Sequence, residues 1–196
     1  WSGSAAADVF DVKADALAVL SQCGAPMAGV QITPGGPSWF HPGRSATLQM
    51  GKDVYGWFGE LHPAVLEALD ADGPILAFEI ILDAIPAPKA KPTKVKGKLD
   101  IADLQPVRRD FAFLVAVETR AEDLIRIARG IDKPLTAGVT LFDVYDGKGM
   151  EPGKKSVAIE VTLQPRDKTL TDAEIEAFSQ KLVAEMTKKT GATLRG

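Results

Sequence analysis

The sequence predicts an α+β protein built on antiparallel sheets, in two modules joined by a linker. Three observations lead there. Apolar and polar residues alternate over short runs, most clearly at 141–145 and 156–161, as they do along strands with one face buried. Between such runs lie segments with apolar residues three or four apart, ending at glycines. The charge is also uneven. Residues 1–86 hold 3 Lys/Arg against 10 Asp/Glu, a net of −7, whereas residues 87–196 hold 20 against 16, a net of +4. An acidic half joined to a basic half suggests two modules, with any polyanion meeting the second. A basic excess of that size does not by itself establish nucleic-acid binding.

In the first half, Phe10-Asp11-Val12 reads as a short strand and 13–22 as a helix with Leu17 and Leu20 on one face, stopped by Gly24. Residues 30–32 alternate like a strand, which Pro34-Gly35-Gly36-Pro37 breaks. An arginine on the Pro42-Gly43-Arg44 turn can grip a carboxylate or phosphate, or serve as a structural pin, and spacing favours the pin. Residues 47–50 and 54–61 form a hairpin turning at Gly51-Lys52-Asp53. A short helix over 63–69 starts on Pro63 and carries the stripe Val65, Leu66, Leu69, and 75–82 is an apolar strand.

Several function classes are excluded early. The single cysteine, Cys23, rules out an internal disulfide and a cysteine-cluster metal site, and fits a reducing, cytoplasmic compartment. His41 and His62, the only histidines, lack a nearby acid cluster and are a poor metal signal. No Ser/His/Asp constellation, phosphate-binding loop, signal peptide or membrane-length apolar run is present. The sequence starts at Trp1 rather than methionine, so it is expected to be a piece of a longer protein.

Pro86, Pro88 and Pro92 with five lysines between Lys89 and Lys98 read as an extended linker over 87–105. From Pro106 the pattern is compact. Residues 109–117 are apolar enough for a central strand. Thr119 opens a helix with Glu122 as its capping-box partner and Leu124, Ile125, Ala128 and Ile131 as the buried stripe. Two strands follow, then a helix capped by Thr171 and Glu174, lined by Ile175, Phe178, Leu182 and Met186 and stopped by Gly191. A last short strand covers 192–194. The order β-α-β-β-α-β is the ferredoxin-like arrangement, in which both helices cover one face of the sheet.

Strand alternation in the middle pair sends Phe142 and Val144 one way and Asp143 and Tyr145 the other. In the next strand Val157, Ile159 and Val161 face the core, while Ser156 and Glu160 face away. The face away from the helices then carries Asp143, Tyr145 and Ser156, with Lys148, Lys154 and Lys155 at its edge. An aromatic platform with nearby cations is one way to hold unstacked RNA bases, and a solvated outer face is the ordinary alternative. On these residues alone the solvated face is favoured.

Pro106-Val107-Arg108-Arg109-Asp110-Phe111-Ala112, Leu141-Phe142-Asp143-Val144-Tyr145-Asp146-Gly147, Gly153-Lys154-Lys155-Ser156-Val157-Ala158, Lys168-Thr169-Leu170-Thr171-Asp172 and Leu194-Arg195 together resemble one family. It is the ferredoxin-fold anticodon-binding domain that closes the β subunit of bacterial phenylalanine–tRNA ligase. His41-Pro42-Gly43-Arg44-Ser45-Ala46, Gly56-Trp57-Phe58-Gly59-Glu60-Leu61-His62-Pro63 and Phe78-Glu79 look like the end of that subunit's catalytic-like domain.

The resemblance implies a truncated, antiparallel class II synthetase-like sheet domain over 1–86, non-catalytic, and a ferredoxin-fold anticodon-binding domain over 106–196. It implies an α2β2 heterotetramer in which the α subunit activates phenylalanine with ATP and magnesium, with no cofactor in this part of β. Matched motif by motif, Asp143, Tyr145 and Ser156 correspond to positions that meet the anticodon of phenylalanine tRNA. Lys154 and Lys155 supply positive charge for phosphates. Competing expectations are a ferredoxin-like small-molecule regulatory module, an enzyme such as a phosphatase on the same scaffold, and a protein-interaction domain. The loop 146–155 lacks the arginine a phosphatase needs.

Overall fold

A computed structural model of the chain describes residues 6–87 and 101–195. The expected linker at 87–105 falls mostly outside the described residues, and so do all five of its lysines. The chain forms two compact units, Trp1–Val95 and Lys96–Gly196.

The first unit opens with α1 (Val9–Gln22), four residues earlier than periodicity predicts. Asp8 is the cause. Its carboxylate accepts from the N–H groups of Phe10 and Asp11, and the Asp11 carboxylate accepts from the Asp8 N–H at 2.8 Å. This reciprocal cap satisfies donors that a helix start leaves bare, so Phe10-Asp11-Val12 is a first turn and not a strand. Val12, Ala16 and Leu20, spaced by four, form the buried stripe.

That stripe covers an antiparallel meander of β1 (Gln31–Pro34), β2 (Phe40–Met50), β3 (Asp53–Leu61) and β4 (Leu76–Ile80). The 51–53 turn lies where the sequence puts it. Gln49 pairs with Val54 but Leu48 with Gly56, which leaves Tyr55 as an extra residue. The resulting bulge puts Tyr55 among the fully buried core side chains. The strands also approach unusually closely at Gly59, where a Cβ would lie 2.4 Å from the Arg44 carbonyl oxygen. The short α2 (Pro63–Ala68) starts on Pro63 as expected.

The second unit consists of β5 (Val107–Ala116), α3 (Ala121–Ile131), β6 (Thr136–Tyr145), β7 (Lys154–Leu163), α4 (Asp172–Thr190) and β8 (Thr193–Leu194). The sheet order is β6-β7-β5-β8, with all neighbours antiparallel. This is the ferredoxin-like topology. Its core joins Phe111, Phe113, Val115, Val157, Ile159, Val161 and Leu163 of the sheet to the apolar stripes of both helices.

α4 matches expectation in detail. Thr171 and Glu174 form the capping box, and Ile175, Phe178, Leu182 and Met186 are its buried residues. Gly191 ends it in the left-handed region at φ 68°, where glycine carries no Cβ penalty. α3 departs from expectation. Its N-cap is Arg120, without a side-chain cap bond, and Glu122 is held instead by the Arg120 guanidinium. The Thr119 N–H is already used by the Ala116 carbonyl in a turn, so the helix starts later. Ile127 replaces Ile125 in the buried stripe, and Ile125 is half-buried beside it.

Candidate nucleic-acid interface

β6 and β7 build the surface that the alternation pattern singles out. Across the pair, Tyr145 faces Ser156, Val144 faces Val157, Asp143 faces Ala158 and Leu141 faces Ile159. One residue, Phe142, is therefore extra. Directly opposed residues share a face, so the bulge lets Leu141 point toward the core and Asp143, two positions on, point away from it. Asp143, Tyr145 and Ser156 thus lie on the open face. The expectation that Phe142 and Val144 enter the core is incorrect: they are 56% and 48% exposed. Phe142 is displaced by the bulge. Val144 keeps the helix-side orientation opposite the buried Val157, but it lies near the end of β6, which is an edge strand of the sheet.

The three site residues differ in environment. Asp143 is exposed and has no hydrogen-bond or ion-pair partner among the described residues. Tyr145 is 42% exposed, and its hydroxyl donates to the Lys148 carbonyl at 2.8 Å. Its ring lies so close to Gly147 that a Cβ there would come within 2.8 Å of Cζ and Oη. Ser156 is the one buried polar residue among those described, at 4% exposure, and its hydroxyl has no partner among them. Among the described residues only the Thr136 hydroxyl is both fully enclosed and unpaired, so the Ser156 hydroxyl, though low in the sheet, still reaches the surface.

The two lysines separate. Lys154 opposes Ala116, which shares parity with Leu114 on the open face, whereas Lys155 opposes Val115 on the helix side. Lys154 is paired with Glu151 at 2.6 Å, and that bond holds the Glu151 carboxyl below its ordinary value. Leu114, Gly149, Met150, Glu151, Lys154 and Arg195 line a small cleft of about 130 Å³ on this side. Sequence reasoning overlooked β5 as a contributor. Its residues Arg108, Asp110, Ala112 and Leu114 alternate with the buried Phe111, Phe113 and Val115, and this parity was legible. Asp110 stands opposite Glu160, making the middle of the face acidic, with Arg108 3.9 Å from Glu160.

Elsewhere the chemistry is structural. Arg44 binds Glu60 through two hydrogen bonds, as a pin and not as a free anion grip. His41 Nδ1 accepts from the Gly43 N–H and His62 Nδ1 from the Ala64 N–H, each at 3.1 Å, so both serve local turns. Among the described residues, no group of three or more His, Cys, Asp or Glu could hold a metal ion, and no helix is long and apolar enough to cross a membrane.

Comparison with known proteins locates two family matches. Residues 102–195 match the model of the ferredoxin-fold anticodon binding domain, and residues 1–82 match that of the phenylalanyl tRNA synthetase beta chain CLM domain. The whole chain aligns at 60% identity with the phenylalanine–tRNA ligase β subunit of Bradyrhizobium diazoefficiens, at 59% with that of Rhodopseudomonas palustris and at 49% with that of Rhodospirillum rubrum. It spans 24%, 25% and 24% of those relatives, about a quarter of each.

Proposed function

The chain belongs to the phenylalanine–tRNA ligase β-subunit family, and on that premise we propose that its second unit binds the anticodon region of phenylalanine tRNA through the open face of the sheet. Within that reading, Tyr145 stacks on an unpaired base. The Asp143 carboxylate accepts from the N–H groups on guanine's Watson–Crick edge, and the Ser156 hydroxyl bonds the base or its sugar. Lys154 neutralises phosphate, with Lys155 as more distant electrostatic support. The observation that carries the reading is the shared orientation of Tyr145, Asp143 and Ser156, with the carboxylate and the hydroxyl both unpartnered among the described residues.

The rest of the reading concerns the whole enzyme. The first unit, over about 1–86, packs beside the α subunit of an α2β2 assembly in the cytoplasm. There α performs the ATP- and magnesium-dependent chemistry. On the same reading the chain has no synthetase activity of its own, because that chemistry belongs to α. Phenylalanine-dependent ATP–pyrophosphate exchange by the purified chain, free of α subunit, would overturn that part.

The decisive experiment is tRNA binding by variants of the complete two-subunit enzyme, with the first anticodon base varied. Tyr145→Ala is expected to weaken binding by about 1–3 kcal/mol, the scale of one lost stack. Asp143→Ala is expected mainly to reduce the preference for guanine at that base. If both leave affinity and preference unchanged in a folded enzyme, the recognition face is wrong.

A further inference from the structure

A stacking platform is only as good as its orientation, and the orientation of Tyr145 is set by its own loop. The ring leaves the end of β6 and returns to the chain three residues later, where the hydroxyl donates to the Lys148 carbonyl at 2.8 Å. Gly147 lies under the far end of the ring, and a methyl group there would need space that Cζ and Oη already occupy, at 2.8 Å. The backbone of Gly147 is not in the left-handed region, unlike Gly149 at φ 93° and Gly153 at φ 78°. Its lack of a side chain is thus explained by the ring and not by the turn. The loop is further closed by the Met150 N–H donating to the Gly147 carbonyl at 3.2 Å.

We infer that Gly147 and the Lys148 carbonyl are positioning elements that latch the Tyr145 ring in its base-stacking pose before RNA arrives. The inference rests on the reading of Tyr145 as a stacking residue and adds what fixes it. The loop orders the ring in the free protein, so less binding energy is spent on immobilising it. The cation of Lys148 is incidental to this role, because the acceptor is its main-chain oxygen.

The test is a double-mutant cycle in the complete two-subunit enzyme, read by binding to phenylalanine tRNA with the natural first anticodon base and with that base replaced. Tyr145→Phe keeps the ring and removes the latch, and Gly147→Ala displaces the ring. Each is expected to weaken binding about two- to ten-fold, the scale of one hydrogen bond. Base preference should be unchanged, because Asp143 is untouched. The double variant should be no weaker than the worse single one, since both act through one ring. A purely structural glycine would give losses that multiply, and that result overturns the latch. So does unchanged binding by Tyr145→Phe and Gly147→Ala when Tyr145→Ala binds weakly. Unchanged binding by Tyr145→Ala itself would instead remove the stacking reading beneath it.

Discussion

Arg44 and Glu60 face each other across β2 and β3 in a two-pronged contact, Nε to Oε2 at 2.5 Å and Nη2 to Oε1 at 2.7 Å. Planar guanidinium matched to planar carboxylate is a geometry that lysine cannot reproduce. The hydrogen bond from Arg44 holds the Glu60 carboxyl below its ordinary value, and the same bond raises Arg44. Arg44→Lys is therefore expected to lower the melting temperature at neutral pH. Glu60 has its lowered value only in the folded state, so its ionised form stabilises above about pH 4.5 and loses effect as pH falls. The deficit of Arg44→Lys should shrink on acidification. Melting curves at pH 7 and pH 3.5 check this, and an equal deficit at both rejects it.

Glu174 gives a sharper pH signature. The Lys168 ammonium is the first cause, with the N–H and hydroxyl of Thr171 adding to it, and the carboxyl is held at about 2 against an ordinary 4.5. A folded-state value below the unfolded one means that ionised Glu174 stabilises fully above about pH 4.5, and that this contribution drains away as pH falls toward 2. Glu174→Gln should melt below the parent protein at pH 6, and the two should converge by about pH 2. A gap that is constant with pH would place the effect elsewhere than in the charge. Thr171→Ala, which removes the other half of the capping box, is expected to cost about 1 kcal/mol.

Lys154 and Lys155 are adjacent in sequence but lie on opposite sides of the sheet, so they should behave differently toward RNA. Lys154→Ala is expected to weaken binding to all tRNAs alike and to reduce the salt slope by about one unit, as a single phosphate contact does. Lys155→Ala should change the slope much less. Binding to cognate and control tRNA across a salt series reads both effects. Equal slopes for the two variants would contradict the assignment by strand parity.

The first unit presents Phe10, Leu69 and Leu82 at 70%, 67% and 64% exposure, as well as β4, whose outer edge has no paired strand among the described residues. Exposed apolar side chains and an open strand edge each favour association. The chain by itself should form dimers or larger species, and Leu82→Lys together with Leu69→Lys should shift it toward monomer. Sedimentation at increasing concentration tests this, and a strictly monomeric parent chain would count against it.

Much of the second unit was legible because its signals are local. The stripe Ile175, Phe178, Leu182, Met186 needs only helical periodicity, and Thr171, Glu174 and Gly191 mark its ends by short-range hydrogen bonding and backbone sterics. Alternation along Val157, Ile159 and Val161 gave the buried face of β7 for the same reason. The order of elements then sufficed for the βαββαβ topology.

What local pattern could not decide was register. Alternation through 141–145 places Leu141 with Asp143 and Tyr145, but the bulge at Phe142 turns Leu141 toward the core and exposes Phe142, because the pairing must also satisfy β7. A bulge likewise drew Tyr55 inward, and the Asp8 cap made a helix of residues that alternation reads as strand. The sequence by itself determined which residue types reach the candidate site: an aromatic, an acid, a hydroxyl and lysines on one β-hairpin. The tertiary structure alone decided their states. It left Asp143 open, sank Ser156 to 4% exposure, turned Lys155 to the other side and tied Tyr145 to Lys148. Those outcomes depend on which strand lies opposite and how the loop closes, which are non-local contacts that no window of sequence contains.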